Sequence, residues 1–359
     1  MNQKQEIKCL HALQVAFSHR IVLVHRLLEQ HGSAVKAWQH AKSTPSFPAY
    51  LDVRLEWDKL TTLQQETGLQ LVQRDDEVYS PWLSEIAQPP HLLYCRGNID
   101  LLKADALVAI VGTRKATTYG RRVVEDCVPE LVAAGVVTVS GLALGIDAAV
   151  HAATVKAGGQ TIAVLGSSVS LCEIYPRRNQ ALAEEILAAG GLIISEYPPG
   201  SQIYPSLFPE RNRIIAGLSQ ATMVIEAGQK SGALITARLA LDANRDVLAV
   251  PGSVFSPQSD GANQLIARGA TPLLSCRTLF DELEYLMGSA PEACARLATA
   301  QLLEDEKSLL GFFSQELMSI DDLVEAAELP VSTITDIVTR LLLKGALRDN
   351  GDQQYVKAI

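Results

Sequence analysis

The sequence lacks closely spaced cysteines, long apolar runs and an apolar N-terminal segment. Its six cysteines include no Cys-x-x-Cys pair, which argues against a zinc site or a disulfide framework and favours reduced thiols in a cytosol. No apolar stretch approaches the roughly 20 residues that cross a bilayer, and residues 1–10 carry charges where an export signal has an apolar core. We therefore expect a cytoplasmic protein that binds no metal and does not contact the membrane.

Two nucleotide-binding fingerprints are also missing. The dinucleotide fingerprint G-x-G-x-x-G would follow the apolar run at residues 107–111, but Gly112 is followed there by Thr113 and two basic residues. The segment around Lys230 superficially resembles a P-loop but lacks the G-x-x-x-x-G-K-[ST] spacing. We predict neither a nicotinamide cofactor nor ATP hydrolysis, and we expect no cofactor.

Acidic charge is concentrated at the C-terminal end of the chain, whose formal net charge is −9. Residues 1–106 hold 11 basic and 12 acidic side chains, and residues 107–276 hold 13 of each. Residues 277–359 hold 7 basic and 15 acidic side chains. The central part is therefore neutral overall, and a basic face on it remains compatible with binding of a polyanion.

Between residues 107 and 275, four Gly/Ser-rich turns each follow an apolar run typical of a β-strand. The runs are residues 107–111, 136–139, 161–165 and 223–227, and the turns are residues 112–114, 140–145, 166–168 and 228–232. In a parallel α/β sheet such turns collect at the carboxyl ends of the strands, where ligands bind. One such turn can hold one phosphate, so several along one edge predict the binding of a polyanion.

Residues of these turns, and basic residues beside them, are candidate phosphate contacts. Glycine lets the backbone approach an anion closely, and Arg114 can form a bidentate contact with a phosphate. The arginines that flank Asn212 can contact adjacent phosphates, or a phosphate and a base edge. From the turns alone we also select Lys115, Gly145, Gly166, Ser167, Arg178 and Gly232.

Two further features have alternative interpretations. Asp147 and His151 lie four residues apart on a predicted helix and could pair on one face. A general-base role is one interpretation of that pair, and a hydrogen bond that shapes the preceding loop is the favoured one. Tyr175 could stack on a base or anchor the core.

The order of predicted elements indicates an α/β fold, with a Rossmann-like, doubly wound and mostly parallel sheet. We predict four segments. Residues 1–66 form a helical N-terminal domain of the SAM or helix-hairpin-helix type, and residues 67–276 form the extended Rossmann-like core. Residues 277–301 are a linker, and residues 302–359 form a winged-helix domain, in which Asn350 and Gly351 mark a hairpin turn. Because this last domain is acidic, we expect it to contact protein and not DNA.

The central region resembles the DNA-processing protein A (DprA/Smf) family over about 170 residues. The resemblance rests on Ile110-Val111-Gly112-Thr113-Arg114 with Tyr119-Gly120, on Ser140-Gly141-Leu142-Ala143-Leu144-Gly145-Ile146-Asp147 with His151, and on Phe208-Pro209-Glu210-Arg211-Asn212-Arg213. Further motifs follow in the family's order: Tyr175-Pro176, Ser195-Glu196-Tyr197-Pro198, Ser231-Gly232-Ala233-Leu234 and Val250-Pro251-Gly252.

The resemblance implies binding of single-stranded DNA, without bond-making chemistry. The protein would protect incoming DNA and load RecA recombinase onto it during natural transformation, and it would form a homodimer through the central domain. The phosphate contacts that the resemblance implies are Gly112, Thr113, Arg114, Ser140, Gly141, Arg177, Arg211, Asn212, Arg213, Lys230 and Ser231. The sequence departs from the family pattern at Ser168 and Ser170, which leaves Arg177 and Arg178 as alternatives for one contact.

Two other functions remain open. Nucleoside-monophosphate phosphoribohydrolases resemble this core in fold, but they carry a Pro-Gly-Gly-x-Gly-Thr turn closely followed by glutamate. Here the turn at residues 228–232 is followed by no acidic residue before Asp242. A protein-interaction scaffold, in which the turns are only structural, is the third alternative.

Overall fold

The computed structural model describes residues 3–44, 47, 51–275, 303–313, 318–343, 347–349 and 354–357. The chain divides into two compact units, residues 1–132 with 136–279 and residues 133–135 with 280–359. The predicted linker at residues 277–301 and the predicted turn at Asn350 and Gly351 lie outside the described residues. None of the helices in the described part of the chain has the length and apolarity that a bilayer crossing requires.

The first unit is built on a nine-stranded, mostly parallel sheet. Its strands are β1 (Gln70–Gln73), β2 (Leu92–Gly97), β3 (Leu107–Val111), β4 (Val137–Ser140), β5 (Thr161–Leu165), β6 (Leu192–Ser195), β7 (Ala221–Val224), β8 (Asp246–Ala249) and β9 (Thr271–Pro272). Their order across the sheet is β1-β2-β6-β5-β4-β3-β7-β8-β9. The pairs β1–β2 and β2–β6 are antiparallel, and the other pairs are parallel. The predicted α/β, Rossmann-like fold is confirmed.

Both faces of the sheet are buried, which explains the continuous apolar runs in the sequence. In β5, Ile162 and Val164 belong to one core cluster, whereas Ala163 and Leu165 belong to another. Side chains alternate between the two faces of a strand, so a strand covered on both sides must be apolar at every position.

Helices α1 (Gln3–Ala16), α2 (Ile21–His31), α3 (Ala34–Lys42) and α4 (Val53–Thr67) form the N-terminal part. They share a core cluster with residues of the sheet, such as Tyr94 and Ile193. The structure thus packs both sides of the predicted boundary between residues 66 and 67 into one compact unit. A buried contact joins the two parts, because His25 of α2 lies 2.9 Å from a carboxylate oxygen of Glu196.

The remaining helices of the first unit connect or follow the strands. They are α5 (Pro81–Ser84), α6 (Thr118–Ala133), α7 (Ile146–Lys156), α8 (Gln180–Ala188), α9 (Leu207–Leu218), α10 (Gly232–Asp242) and α11 (Asp260–Ala267). Short 3-10 turns cover Ile99–Lys103, Leu171–Glu173 and Arg177–Asn179. Helix α9 begins at Leu207, so the polar cluster at residues 208–213 lies within its first two turns.

The second unit contains α12 (Glu304–Leu310), α13 (Ile320–Ala327) and α14 (Val331–Leu343). Strands β10 (Met318–Ser319), β11 (Leu347–Asp349) and β12 (Gln354–Lys357) form a separate sheet in the order β10-β12-β11. Its apolar cluster includes Leu323, Ile337 and Leu341. Helix α13 starts with a capping box, in which Ser319 and Asp322 satisfy each other's backbone N–H groups.

Candidate functional site

The strand order changes direction at β3. Strands β4, β5 and β6 follow on one side of β3, and β7, β8 and β9 follow on the other. In an open parallel sheet, the crevice outside the carboxyl ends of the strands at such a switch point is where ligands bind. The turns after β3 and β7 lie at this point, because those two strands are hydrogen-bonded neighbours.

A cavity of about 590 Å³ opens at this switch point, and we call it the central trough. It is lined by three turns and by the first residues of α9. The lining includes Gly112, Thr113, Arg114, Lys115, Ala143, Asp147, Phe208, Pro209, Arg211, Asn212, Gly228, Gln229, Lys230, Ser231, Gly232 and Gln258. A smaller cavity of about 40 Å³ shares Arg114, Phe208 and Arg211 with the trough and extends it to Tyr175.

Three exposed cations of the trough have no acidic partner. Among the described residues, no ion pair is formed by Arg114, Lys115 or Lys230, whereas Arg122 and Arg238 each face an aspartate one helical turn away. The guanidinium of Arg114 lies over the ring of Phe208, 5.7 Å from its centroid. The trough therefore presents uncompensated positive charge, which attracts an anionic ligand.

Two buried charged residues hold the turns of the trough in place. One carboxylate oxygen of Asp147 accepts hydrogen bonds from the backbone N–H groups of Gly141 and Ala143. The guanidinium of Arg211 donates to the carbonyl of Gly141 at 2.8 Å and to the carbonyl of Val164. Both side chains are buried, so they shape the floor of the trough from below.

Burial shifts the pKa of both groups. It raises the pKa of Asp147, although the nearby charge of Arg211 and the backbone N–H groups oppose this shift. It also lowers the pKa of Arg211 to about 10, so the guanidinium remains charged at neutral pH. The hydrogen bonds that Asp147 accepts from Gly141 and Ala143 agree with its predicted role in shaping the loop. His151, however, does not pair with Asp147. Nδ1 of His151 lies 2.8 Å from the hydroxyl of Thr161.

Gly145 allows the turns after β3 and β4 to meet. Its φ of +88° and ψ of −124° belong to a region that only glycine occupies readily. A Cβ at this position would overlap the carbonyl of Thr113 and the backbone of Arg114. The N–H of Ile146 also donates to the carbonyl of Thr113 at 3.2 Å, which joins the two turns directly.

Several predicted contacts do not face the trough. Ser140 is buried and its hydroxyl donates to the carbonyl of Ile110. Gly166 and Ser167 are also buried, and the Ser167 hydroxyl accepts the N–H of Tyr175. These residues position the loops of the site, because their polar groups are engaged inside the protein.

The structure also places three predicted arginines outside the trough. Arg213 forms an ion pair with the buried Glu196 at 2.6 Å. The same carboxylate contacts His25 of helix α2. Arg177 and Arg178 are exposed in a 3-10 turn and line neither of the two cavities. Arg177 and Arg213 were implied by the family resemblance and Arg178 by its charge beside a turn, and neither criterion reveals the direction of a side chain.

Phe208 and Gln258 are among the trough residues that the sequence analysis does not select as site residues. Phe208 lies 5.4 Å from the ring of Tyr175, measured between centroids, so the two rings border the same end of the trough. Gln258 accepts a hydrogen bond from the hydroxyl of Thr113 at 3.2 Å and comes from the loop after β8. Phe208 precedes the basic cluster in the sequence and could have been selected, whereas no local signal marks Gln258.

Comparisons with known proteins identify related chains. The model of the family described as DNA recombination-mediator protein A matches residues 70–284. DNA processing protein DprA of Bacillus subtilis is 42% identical over 219 residues, which cover 61% of this chain and 73% of that protein. Protein Smf of Escherichia coli is 35% identical over 276 residues, which cover 76% of this chain and 72% of that protein.

Solved structures of DprA proteins are also similar to this chain. The X-ray structure of DprA from Streptococcus pneumoniae matches with a TM-score of 0.61 at 34% identity, over 77% of this chain and 96% of that one. DprA from Helicobacter pylori, whose structure concerns a single-stranded DNA binding mode, matches with a TM-score of 0.54 at 31% identity, over 60% of this chain and 96% of that one. Since the family model covers more than half of the residues, this chain belongs to the DNA recombination-mediator protein A family.

Proposed function

We propose that the protein binds single-stranded DNA in the central trough. The observation that carries this proposal is the group of exposed cations without acidic partners, Arg114, Lys115 and Lys230, around a cavity at the switch point of the sheet. Such cations can neutralise successive phosphates, and phosphate contacts carry no direct information on base sequence. We therefore expect binding with little base discrimination along this part of the strand.

Direct contacts are assigned to residues that line the trough. Gly112, Thr113, Asn212, Ser231 and Gly232 line it together with the three cations. The side chain of Ser231 caps α10 by accepting the N–H of Ala233. The positive end of that helix dipole therefore points towards the ligand.

The wider role of the family extends this proposal. The protein would protect incoming DNA in the cytoplasm and load RecA recombinase onto it during natural transformation. It would act as a homodimer formed through the central Rossmann-like domain, and the C-terminal domain would be a winged helix that contacts protein. Support for self-association comes from Leu274, which is 77% exposed beside β9, the last strand of the sheet among the described residues.

An alternative hydrolase function has less support. The acidic residue after the turn at 228–232 is Asp242, which lies at the opposite end of α10 from the trough. Asp147 does line the trough, but its carboxylate is engaged by backbone N–H groups. We therefore propose binding without catalysis. Release of adenine from AMP by the purified protein would decide for the hydrolase.

The test is binding of a labelled oligonucleotide, measured by fluorescence anisotropy over a series of salt concentrations. For the wild-type protein we expect affinity to fall steeply as salt rises, because bound phosphates release counterions. The variant Arg114→Ala/Lys230→Ala should bind more weakly, and the slope of log affinity against log salt should fall by about 2.

The matched control is Arg238→Ala. Arg238 is an exposed arginine of α10 that pairs with Asp242 and does not line the trough. It should retain both the affinity and the salt slope of the wild type. Binding that is independent of salt, or a double variant that behaves like Arg238→Ala, would refute the proposal.

A further inference from the structure

A second cavity of about 470 Å³ lies at the carboxyl ends of β7 and β8, and we call it the hydroxyl pocket. It is lined by Thr117, Tyr119, Glu226, Pro251, Gly252, Ser253, Ser256 and Ser259. Five of these eight side chains carry a hydroxyl group. The turn after β3 separates this pocket from the central trough, because the N–H of Thr113 donates to the carbonyl of Glu226 at 2.8 Å.

Two hydroxyl groups of the pocket are available to a ligand. Within the described residues, no hydrogen bond engages the side chain of Ser256 or of Ser259. Ser259 is only 4% exposed, yet it lines the pocket. The two hydroxyl groups can therefore form hydrogen bonds with a polar ligand in the pocket.

The pocket also has a fixed aromatic wall. Tyr119 is 47% exposed, and its hydroxyl donates to the carbonyl of Pro251 at 2.7 Å. This bond holds the ring at the mouth of the pocket and leaves part of it open to solvent. Phe255, which is 92% exposed, lies in the same loop as Ser253 and Ser256. Exposed aromatic rings are the surfaces on which bases of single-stranded DNA stack.

The charge of the pocket excludes a phosphate. Among the residues that the structure describes, its lining contains no lysine or arginine, and it contains the carboxylate of Glu226. That carboxylate accepts the backbone N–H of Thr117 at 2.9 Å and the Thr117 hydroxyl at 2.5 Å, so it is fixed in position. A negative charge and hydroxyl groups suit a neutral ligand with hydrogen-bond donors. The face of such a ligand can pack against Tyr119.

We propose that the hydroxyl pocket binds a nucleobase and its sugar from the same strand whose phosphates occupy the central trough. This inference rests on the proposed function and adds a base-binding subsite to it. The shared wall places the pocket next to the phosphate contacts, because Gly112 and Thr113 line the trough on the other side. Stacking tolerates any base, which is compatible with little discrimination of sequence.

The experiment uses the full-length protein and oligonucleotides that carry 2-aminopurine at successive positions. With the wild type, the 2-aminopurine fluorescence should be quenched more strongly at one position than at the neighbouring positions, because the base at that position stacks on Tyr119. The variant Tyr119→Ala should lose this additional quenching and bind roughly tenfold more weakly. Its salt slope should equal that of the wild type, because stacking releases no counterions. Tyr119→Phe, which keeps the ring but loses the hydrogen bond to Pro251, should retain more of the quenching than Tyr119→Ala.

An abasic site distinguishes stacking from damage to the fold. At the quenched position, an abasic nucleotide should weaken binding by the wild type but should cause no further loss with Tyr119→Ala. If Tyr119→Ala keeps full affinity and quenching while Arg114→Ala/Lys230→Ala loses binding, the subsite is refuted and the trough proposal stands. If the wild type binds no oligonucleotide, both proposals fail.

Discussion

Two arginines of the central trough have opposite environments although both carry the same charge. Arg211 is buried, and its guanidinium satisfies the carbonyl groups of Gly141 and Val164. Arg114 is exposed and forms no ion pair within the described residues. Because a buried carbonyl that loses its donor incurs a desolvation cost, Arg211 contributes to stability. Arg114 remains available for a ligand.

We expect Arg211→Ala to lower the free energy of unfolding by about 3 kcal/mol, because it leaves two buried carbonyl groups without donors. Arg114→Ala should change that free energy by less than about 0.5 kcal/mol and should weaken DNA binding instead. Urea unfolding at pH 7 and oligonucleotide anisotropy measure the two effects. Equal stability of the two variants would contradict this division of roles.

Lysine is a further test at position 211. The planar guanidinium of Arg211 donates to two carbonyl groups through a rigid fork, which an ammonium group does not reproduce. Arg211→Lys should therefore recover less than half of the stability lost in Arg211→Ala. A stability equal to that of the wild type would mean that charge alone, and not the geometry of the donors, supports the floor of the trough.

At the residue scale, the sequence indicates which residues lie at one edge of the sheet better than which of them face the trough. Gly112, Arg114 and Lys230 do line the same cavity, because strands and turns are local features of the chain. Burial depends on contacts between distant segments, such as that of Arg211 with Val164. The sequence alone could not separate a residue that faces the trough from one that supports it.

At the scale of elements, the strands in the middle of the sheet were the most predictable. Strands β3 and β5 have the predicted bounds, because each is a short apolar run closed by a glycine. Strand β7 covers residues 221–224, whereas the predicted run covers residues 223–227. The two ranges differ because apolar residues continue beyond the last residue that pairs in the sheet. Helix α4 gives only a weak signal in the sequence, because its exposed faces are polar and it buries only Leu60.

The turn between β4 and α7 provides a test of local geometry. Gly145→Ala should lower the free energy of unfolding by about 3 kcal/mol, because it adds an unfavourable φ and a clash with Thr113. Gly158→Ala is the matched control, since Gly158 also has a positive φ, of +75°, but open space around its missing Cβ. Its cost should be about 1 kcal/mol. Thermal unfolding of both variants measures the two losses of stability. Equal losses would show that the close contact between the turns after β3 and β4 is not needed for stability.

For the whole molecule, the division into two units predicts independent functions. The first unit contains the complete nine-stranded sheet and the trough, whereas residues 277–359 carry an excess of eight acidic side chains, 15 against 7 basic ones. A chain that ends at Leu279 should therefore retain oligonucleotide affinity within about threefold, because the removed part attracts no phosphate. A loss of tenfold or more in anisotropy measurements would assign DNA contacts to the second unit.

Acid should destabilise the whole first unit through its buried histidines. Burial lowers the pKa of His11 and His91 to about 4 and that of His151 to about 3. The unfolded chain takes up protons near pH 6.5, whereas the folded chain does so only near these lower values. Stability is therefore complete above pH 6.5 and is lost as pH falls towards 4.

The variant His151→Gln isolates one of these contributions from the opposing effect of Asp147, whose pKa is raised by burial. Between pH 6 and 4.5, the free energy of unfolding of the wild type should fall more steeply than that of His151→Gln. The difference in slope should be about 1.4 kcal/mol per pH unit, because unfolding of the variant takes up one proton fewer than unfolding of the wild type. Urea unfolding at several pH values measures both slopes. Parallel slopes would mean that His151 is already protonated in the folded protein. Its burial beside Thr161 and the nearby charge of Arg211 both disfavour that protonation.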